Sequence, residues 1–321
     1  MILQTIAGLL LAGIFFMAVP ALILIERRHF CGTFRRAEIK TNWLADYRQF
    51  LETIWQARHS NSADPALIVQ IFNLTTAALT VALWLVLPFQ LKTTIVGIGW
   101  TYLVIAVLIL NIIDRIVTGS YANRPLPFFG ILKNGLILVS SIIPVLFAIL
   151  ITSYATEARN LLDLSRIQQD HWLGFIPHWN IFRSPFLTLT GLSFFLNLVV
   201  IMRIGDGSFQ PFELQDESEI YSGRQKSFGN FLPFNRQAIL FTLAALMVFL
   251  FLGGFTDNTQ IAPIAGELWF LSKTILIFLV GLWFKYRLPS MTLNQVLILN
   301  LKIQVPALTL IFLSLMIGRW F

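Results

Sequence analysis

Long runs of apolar residues alternate with short polar segments along the 321 residues of the chain. A helix needs about 20 mainly apolar residues to cross the hydrocarbon core of a bilayer. By that measure the pattern predicts eight spans, at 2–25, 67–89, 95–113, 130–153, 185–204, 237–255, 263–284 and 298–318. The runs are continuously apolar and lack the ~10-residue alternation of an outer-membrane barrel, and backbone groups in lipid must be satisfied within the segment, so helices are the remaining choice. The expected fold is an all-α polytopic transmembrane helix bundle, a single membrane domain over 1–321. The first run lacks a basic leader region and a cleavage signature, and it continues to Ile25, which makes it a first span rather than a removed peptide.

The polar segments are not uniform. Between 43 and 57, Trp43, Leu44, Tyr47, Phe50, Leu51, Ile54 and Trp55 recur at helical spacing, with Asp46, Arg48, Gln49 and Glu52 on the other side. This segment is too short and polar to span, and it suits a helix lying in the membrane interface or one covering the end of the bundle.

Composition agrees with the pattern: 56% of residues are hydrophobic and 12% charged, against about 25% charged in soluble proteins. The net charge of +7 is read by position. With the N-terminus outside, fourteen Lys and Arg fall in inner loops and five in outer ones, so the positive-inside rule orients the chain and the excess needs no nucleic-acid partner. Cys31 is the one cysteine; it has no partner for an internal disulfide and supplies no zinc or iron–sulfur frame.

Against this basic background, Glu213, Asp216, Glu217 and Glu219 fall within seven positions of the inner loop 205–236, and Asp206 opens that loop. Carboxylates close together and partly withdrawn from water raise one another's pKa, so such a string can exchange protons near neutral pH. A hydrated surface loop, or pairing with Arg224 and Lys226, accounts for the composition equally. Lys273 lies near the middle of the seventh span, where an ammonium needs a partner or a water-filled cavity. Lys133 and Lys302 fall close to predicted inner ends, within snorkelling reach. Pro20, Pro144 and Pro306 stand inside spans and free the carbonyls of Phe16, Ser140 and Lys302.

Several of these residues carry a resemblance. Asp206 followed by Pro211, Phe212, Glu213, Leu214, the acids to Glu219 and Gly223 is similar to an acid, Pro-Phe-Asp-Leu, Glu-rich run and Gly in the H-type membrane subunit of bacterial respiratory complex I, called ND-one in mitochondria. The same family includes the membrane anchors of nickel–iron hydrogenases of the formate hydrogenlyase type. Glu26-Arg27-Arg28 with Arg36, the run from Leu268 through Lys273 to Arg287 and Pro289, and Lys302 with Pro306 also resemble family segments. The likeness covers nearly the whole chain.

That resemblance implies a non-catalytic membrane subunit of a proton-translocating, complex I-like oxidoreductase in a bacterial or archaeal inner membrane. It implies a proton path through Asp206, Glu213, Asp216, Glu217, Glu219 and Lys273. It implies a quinone or soluble-arm interface at Glu26, Arg27, Arg28, Arg35, Arg36, Asp46 and Arg48. The implied partners are soluble iron–sulfur subunits, antiporter-like and small membrane subunits, and lipid; quinone is the candidate ligand, with iron–sulfur clusters confined to partner chains.

The chain also departs from the family. No acid lies between Asp114 and Glu157, where members carry a glutamate in the helix matching 130–153. Ala37, Glu38 and Ile39 replace a Gly-Pro, and Ser208 and Phe209 replace an Asn-Arg. Leu44 to Gln49, LADYRQ, resembles the hydrogenase branch instead. Two other functions therefore remain: a hydrogenase anchor without quinone, and an independent secondary transporter, which would carry internal repeats that the chain does not display.

Overall fold

A computed structural model of the protein describes residues 18–19, 21–22, 25–26, 71, 74–80, 105–110, 113, 125–158, 163–164, 167–168, 171–172, 176–203, 231–254, 263–289 and 291–318. These residues form a helical membrane bundle. In chain order the continuous elements are α1 (Pro125–Thr156), a two-residue antiparallel pair β1 (His171–Trp172) and β2 (Ile176–Pro177), and the short α2 (Asn180–Arg183). Then follow α3 (Pro185–Arg203), α4 (Phe231–Phe251) and α5 (Pro263–Arg287). The last helix is composite: α6 (Leu293–Leu297), a π-helical segment Ile298–Gln304, and α7 (Val305–Gly318). Four described helices are long and apolar enough to cross a membrane.

The centre of the bundle is α4. From Ala238 to Phe251 every side chain is buried, as expected of a helix that is apolar on all sides and so needs neighbours on all of them. It packs on α3 and α5, which also touch each other, while α3 leans on α1. Large rings fill the seam: Phe194 meets Phe251 at 6.1 Å, Phe241 meets Phe278 at 5.8 Å and Phe249 meets Phe270 at 4.7 Å between centroids. Two glycines allow the approach. A Cβ on Gly191 would stand 3.1 Å from the Phe251 ring and one on Gly281 2.9 Å from the Met202 sulfur, which is how small residues bring membrane helices together.

α4 ends where glycine permits. Gly253 and Gly254 take φ of 80° and 55°, and the Gly254 N–H returns to the Val248 carbonyl at 3.2 Å, closing the helix with left-handed residues that cost glycine little. The composite last helix has a different irregularity. Its π turns immediately precede Pro306, which cannot donate to the Lys302 carbonyl, and the Val305 N–H reaches back to Asn300 instead. This helix starts at Leu293, with Thr292 and Gln295 forming a reciprocal cap, ahead of the start at 298 that apolar counting gives.

The predicted interfacial helix at 43–57 and the acidic loop from Asp206 to Glu219 lie outside the described residues.

Candidate functional site

Polar side chains gather at three levels of the bundle. At one end, Glu26 lies against α4 and α5. Lys285 forms an ion pair with Glu26 Oε1, and the Tyr286 hydroxyl donates to the same oxygen at 3.3 Å. Gln237 Nε2 donates to Oε2 at 3.0 Å. Both carboxylate oxygens are thus engaged, by three side chains from two helices.

Glu26 follows the end of the predicted first span. Burial pushes its carboxyl up, but the charges of Lys285 and Arg236 and the hydrogen bonds from Lys285 and Gln237 outweigh that and hold it below the ordinary value. The carboxylate is the ionised form that this setting favours.

The same end is rich in cations that terminate helices. Arg236 Nη2 donates to the Met202 carbonyl at 2.7 Å and the buried Arg203 donates through Nη2 to the Leu288 carbonyl at 3.1 Å. Each guanidinium therefore meets the negative end of a helix, α3 or α5, which favours positive charge. Arg287 lies over the Trp283 ring at 5.8 Å. Among the described residues at this end, Glu26 stands with Arg203, Arg236, Lys285 and Arg287.

The opposite end is organised around the last carbonyls of α4. Gln168 Nε2 donates to Phe249 at 3.0 Å, Asn180 Nδ2 to Leu250 at 2.7 Å, and Lys273 Nζ to Leu252 at 2.9 Å. Gln168 Oε1 accepts from the backbone of Asn180 and Gly253, at 3.1 and 2.9 Å. Lys273 also sits over the Trp179 ring at 4.7 Å and the Trp269 ring at 5.5 Å. A cation at a helix C-terminus, faced by two aromatic rings, explains how this intramembrane ammonium is accommodated.

Between the two ends lies a chain of neutral groups. Gln304 Oε1 accepts from Ser193 at 2.6 Å and from Asn197 at 2.5 Å, while Gln304 Nε2 donates to Asn300 at 3.3 Å. Asn300 in turn donates to the hydroxyls of Ser140 and Ser141 at 3.2 and 2.9 Å. The network joins α1, α3 and the π-helical segment at the middle of the bundle. It contains hydroxyls and amides only, so it orders helices without carrying charge.

Of the residues expected from sequence to form a site, Glu26 and Lys273 are described, and the structure places them at opposite ends. Arg27, Arg28, Arg35, Arg36, Asp46, Arg48, Asp206, Glu213, Asp216, Glu217 and Glu219 lie outside the described residues. Sequence reading missed Lys285 as the partner of Glu26, and it missed Asn197, Asn300 and Gln304. The signal for the last three was present, since an amide inside an apolar run is as conspicuous as a charge, and 300 and 304 share one helix face. Among the described residues no three His, Cys, Asp or Glu side chains gather closely enough to hold a metal ion.

The sequence model of the NADH dehydrogenase family matches residues 6–316. A protein of Erythrobacter litoralis, named as the H-type subunit of NADH-quinone oxidoreductase, is 26% identical, over 98% of this chain and 92% of its own length. Proteins of the same name from Sphingopyxis alaskensis and Geobacillus kaustophilus are each 27% identical, covering 78% and 74% of this chain and 72% and 68% of their own lengths.

Proposed function

The chain belongs to the NADH dehydrogenase family, and from that premise we propose that it is a membrane subunit of an NADH-quinone oxidoreductase-like complex in a bacterial inner membrane. In this reading it carries no redox centre. It receives a soluble iron–sulfur arm on the end that holds Glu26, and electrons pass to quinone at or near that junction.

The observation that carries the reading is the Glu26 cluster. One ionised carboxylate is fixed by Lys285, Tyr286 and Gln237 beside Arg203, Arg236 and Arg287, so among the described residues this end is cross-linked and carries an excess of positive charge. The positive-inside count supports putting this end in the cytoplasm, with the N-terminus outside. Such a surface attracts negative charge. The acids Asp206, Glu213, Asp216, Glu217 and Glu219 follow α3 directly in the chain, and we assign them to the mouth of a proton path beneath the docked arm, with Lys273 at its far end. Arg27, Arg28, Arg35, Arg36, Asp46 and Arg48 belong to the docking surface in the same reading.

The neutral network limits what the middle of the membrane does. The family resemblance leads one to expect a glutamate in α1, where this chain has no acid between Asp114 and Glu157; the polar groups of that helix that join the network are Ser140 and Ser141, bonded to Asn300. Hydroxyls and amides do not store a proton at physiological pH, so a path that needs a titrating carboxylate at that level is absent from α1. One sequence feature favours a second reading: LADYRQ at 44–49 resembles the anchors of nickel–iron hydrogenases, which need no quinone.

The test is made on the complex purified from membranes. Quinone reduction by NADH or ferredoxin, with Glu217→Gln and Asp206→Asn each lowering coupled proton pumping while assembly persists, is the expected result. Copurification with nickel-bearing subunits and no quinone reductase activity would replace this reading with the hydrogenase anchor. Solute transport by the purified chain alone in liposomes would replace both with a transporter.

A further inference from the structure

Lys302 is exposed on the outer side of the last helix, among Leu301, Ile303 and Leu310, which are 44%, 56% and 67% exposed. Its neighbours in the chain, Asn300 and Gln304, turn the other way and are 0% and 7% exposed. Those two fix its depth. Gln304 is bonded to Ser193 and Asn197, which flank the middle of α3 (Pro185–Arg203), and Asn300 to Ser140 and Ser141 in the middle of α1. Lys302 is therefore held at mid-bundle level. That level, set by the bonds to α1 and α3, is deeper than the snorkelling reach expected of a lysine close to an inner end.

A charged side chain at this depth normally faces the bundle interior or a water-filled cavity and has a partner. Lys302 faces away from the bundle, on a helix that is mostly uncovered: 22% of the residues in the apolar window of the described span Leu293–Gly318 are buried. Lipid tails supply no counter-charge there. We propose that the face of the last helix centred on Lys302 is an intramembrane docking surface for a transmembrane helix of another subunit, one that carries an Asp or Glu at mid-membrane depth. The inference rests on the reading of the chain as one subunit of a membrane complex, and the choice of occupant rests on charge complementarity. A carboxylate in a partner helix has the same need as Lys302, and each meets the other's.

The test uses the assembled complex in its native membrane, with p-benzoylphenylalanine placed at Leu301 or Leu310 and Lys302 left intact, followed by illumination, purification and mass spectrometry of the adducts. The expected adduct is with a transmembrane segment that contains Asp or Glu. Lys302→Glu should then lower copurification of that subunit at least ~10-fold, Lys302→Arg should preserve it, and changing the partner carboxylate to Lys should rescue Lys302→Glu. Adducts with phospholipid only, or with a helix lacking any carboxylate, in a complex that keeps its membrane subunits, overturn this inference alone. A chain that purifies with no other membrane subunit overturns the proposed function as well.

Discussion

Lys285 and Glu26 are 259 positions apart in sequence and meet as a largely buried ion pair, tying Glu26 to the end of α5. Removing one member of a buried pair strands the other charge, which typically costs about 3–5 kcal/mol. Glu26→Gln and Lys285→Met are each expected to lower the unfolding midpoint and the yield of the complex. The double variant should lose less than the sum of the two, with a coupling of roughly 1–3 kcal/mol. Denaturant titration of the purified protein in detergent checks this, and additive losses would mean the pair is not energetically linked.

Lys273 touches the C-terminal end of α4. Replacing it with Met should leave the Leu252 carbonyl short of a donor and lower stability by about 1–2 kcal/mol. Lys273→Arg should retain most of that stability, because the charge remains at the helix end and over Trp179 and Trp269. Measuring proton pumping on both variants separates a proton role from a structural one. A pumping defect in the Arg variant at unchanged thermal stability identifies a proton role.

The neutral network makes a prediction of its own. Asn300→Leu removes the amide that joins Ser140 and Ser141 to Gln304, and Gln304→Leu removes the acceptor of Ser193 and Asn197. Hydrogen bonds between membrane helices average about 0.6 kcal/mol each, so each variant, which removes three hydrogen bonds, should lose about 2 kcal/mol, with quinone reduction intact. Loss of activity without loss of stability would assign the network a direct functional role.

Gly191 sets how closely α3 approaches α4. A Cβ there meets the buried Phe251 ring at 3.1 Å, and a branched side chain has no space at all. Gly191→Val should destabilise the protein by about 1–3 kcal/mol through overpacking. At Gly281 the nearest atoms are the end of the flexible Met202 side chain, so Gly281→Ala should be nearly neutral. Thermal unfolding of the two variants side by side tests the contrast.

The helical membrane class was legible because each span advertises itself as a run of apolar residues, and the glycines at 253 and 254 mark the end of α4 as glycine ordinarily does. Helix starts were harder to read. Leu293 begins its helix within polar sequence, because a capped helix projects beyond the hydrocarbon boundary that hydropathy detects, and Phe231 begins α4 six residues ahead of the predicted span. Glu26 stood out by resemblance, but nothing local in the sequence pairs it with Lys285, since that contact is made by the topology of the bundle. A search confined to ionisable groups also passes over Asn197, Asn300 and Gln304. These residues form the most extended polar connection among the described helices.

In the proposed complex, the positive end of the bundle, anchored by Glu26 and Lys285, lies beneath a docked electron-carrying protein. A density map of the intact assembly decides this. An iron–sulfur protein is expected to cover the end where Glu26, Arg236 and Arg287 gather; a map that leaves this end open to bulk water, with the redox proteins on the Lys273 side or missing, would contradict it.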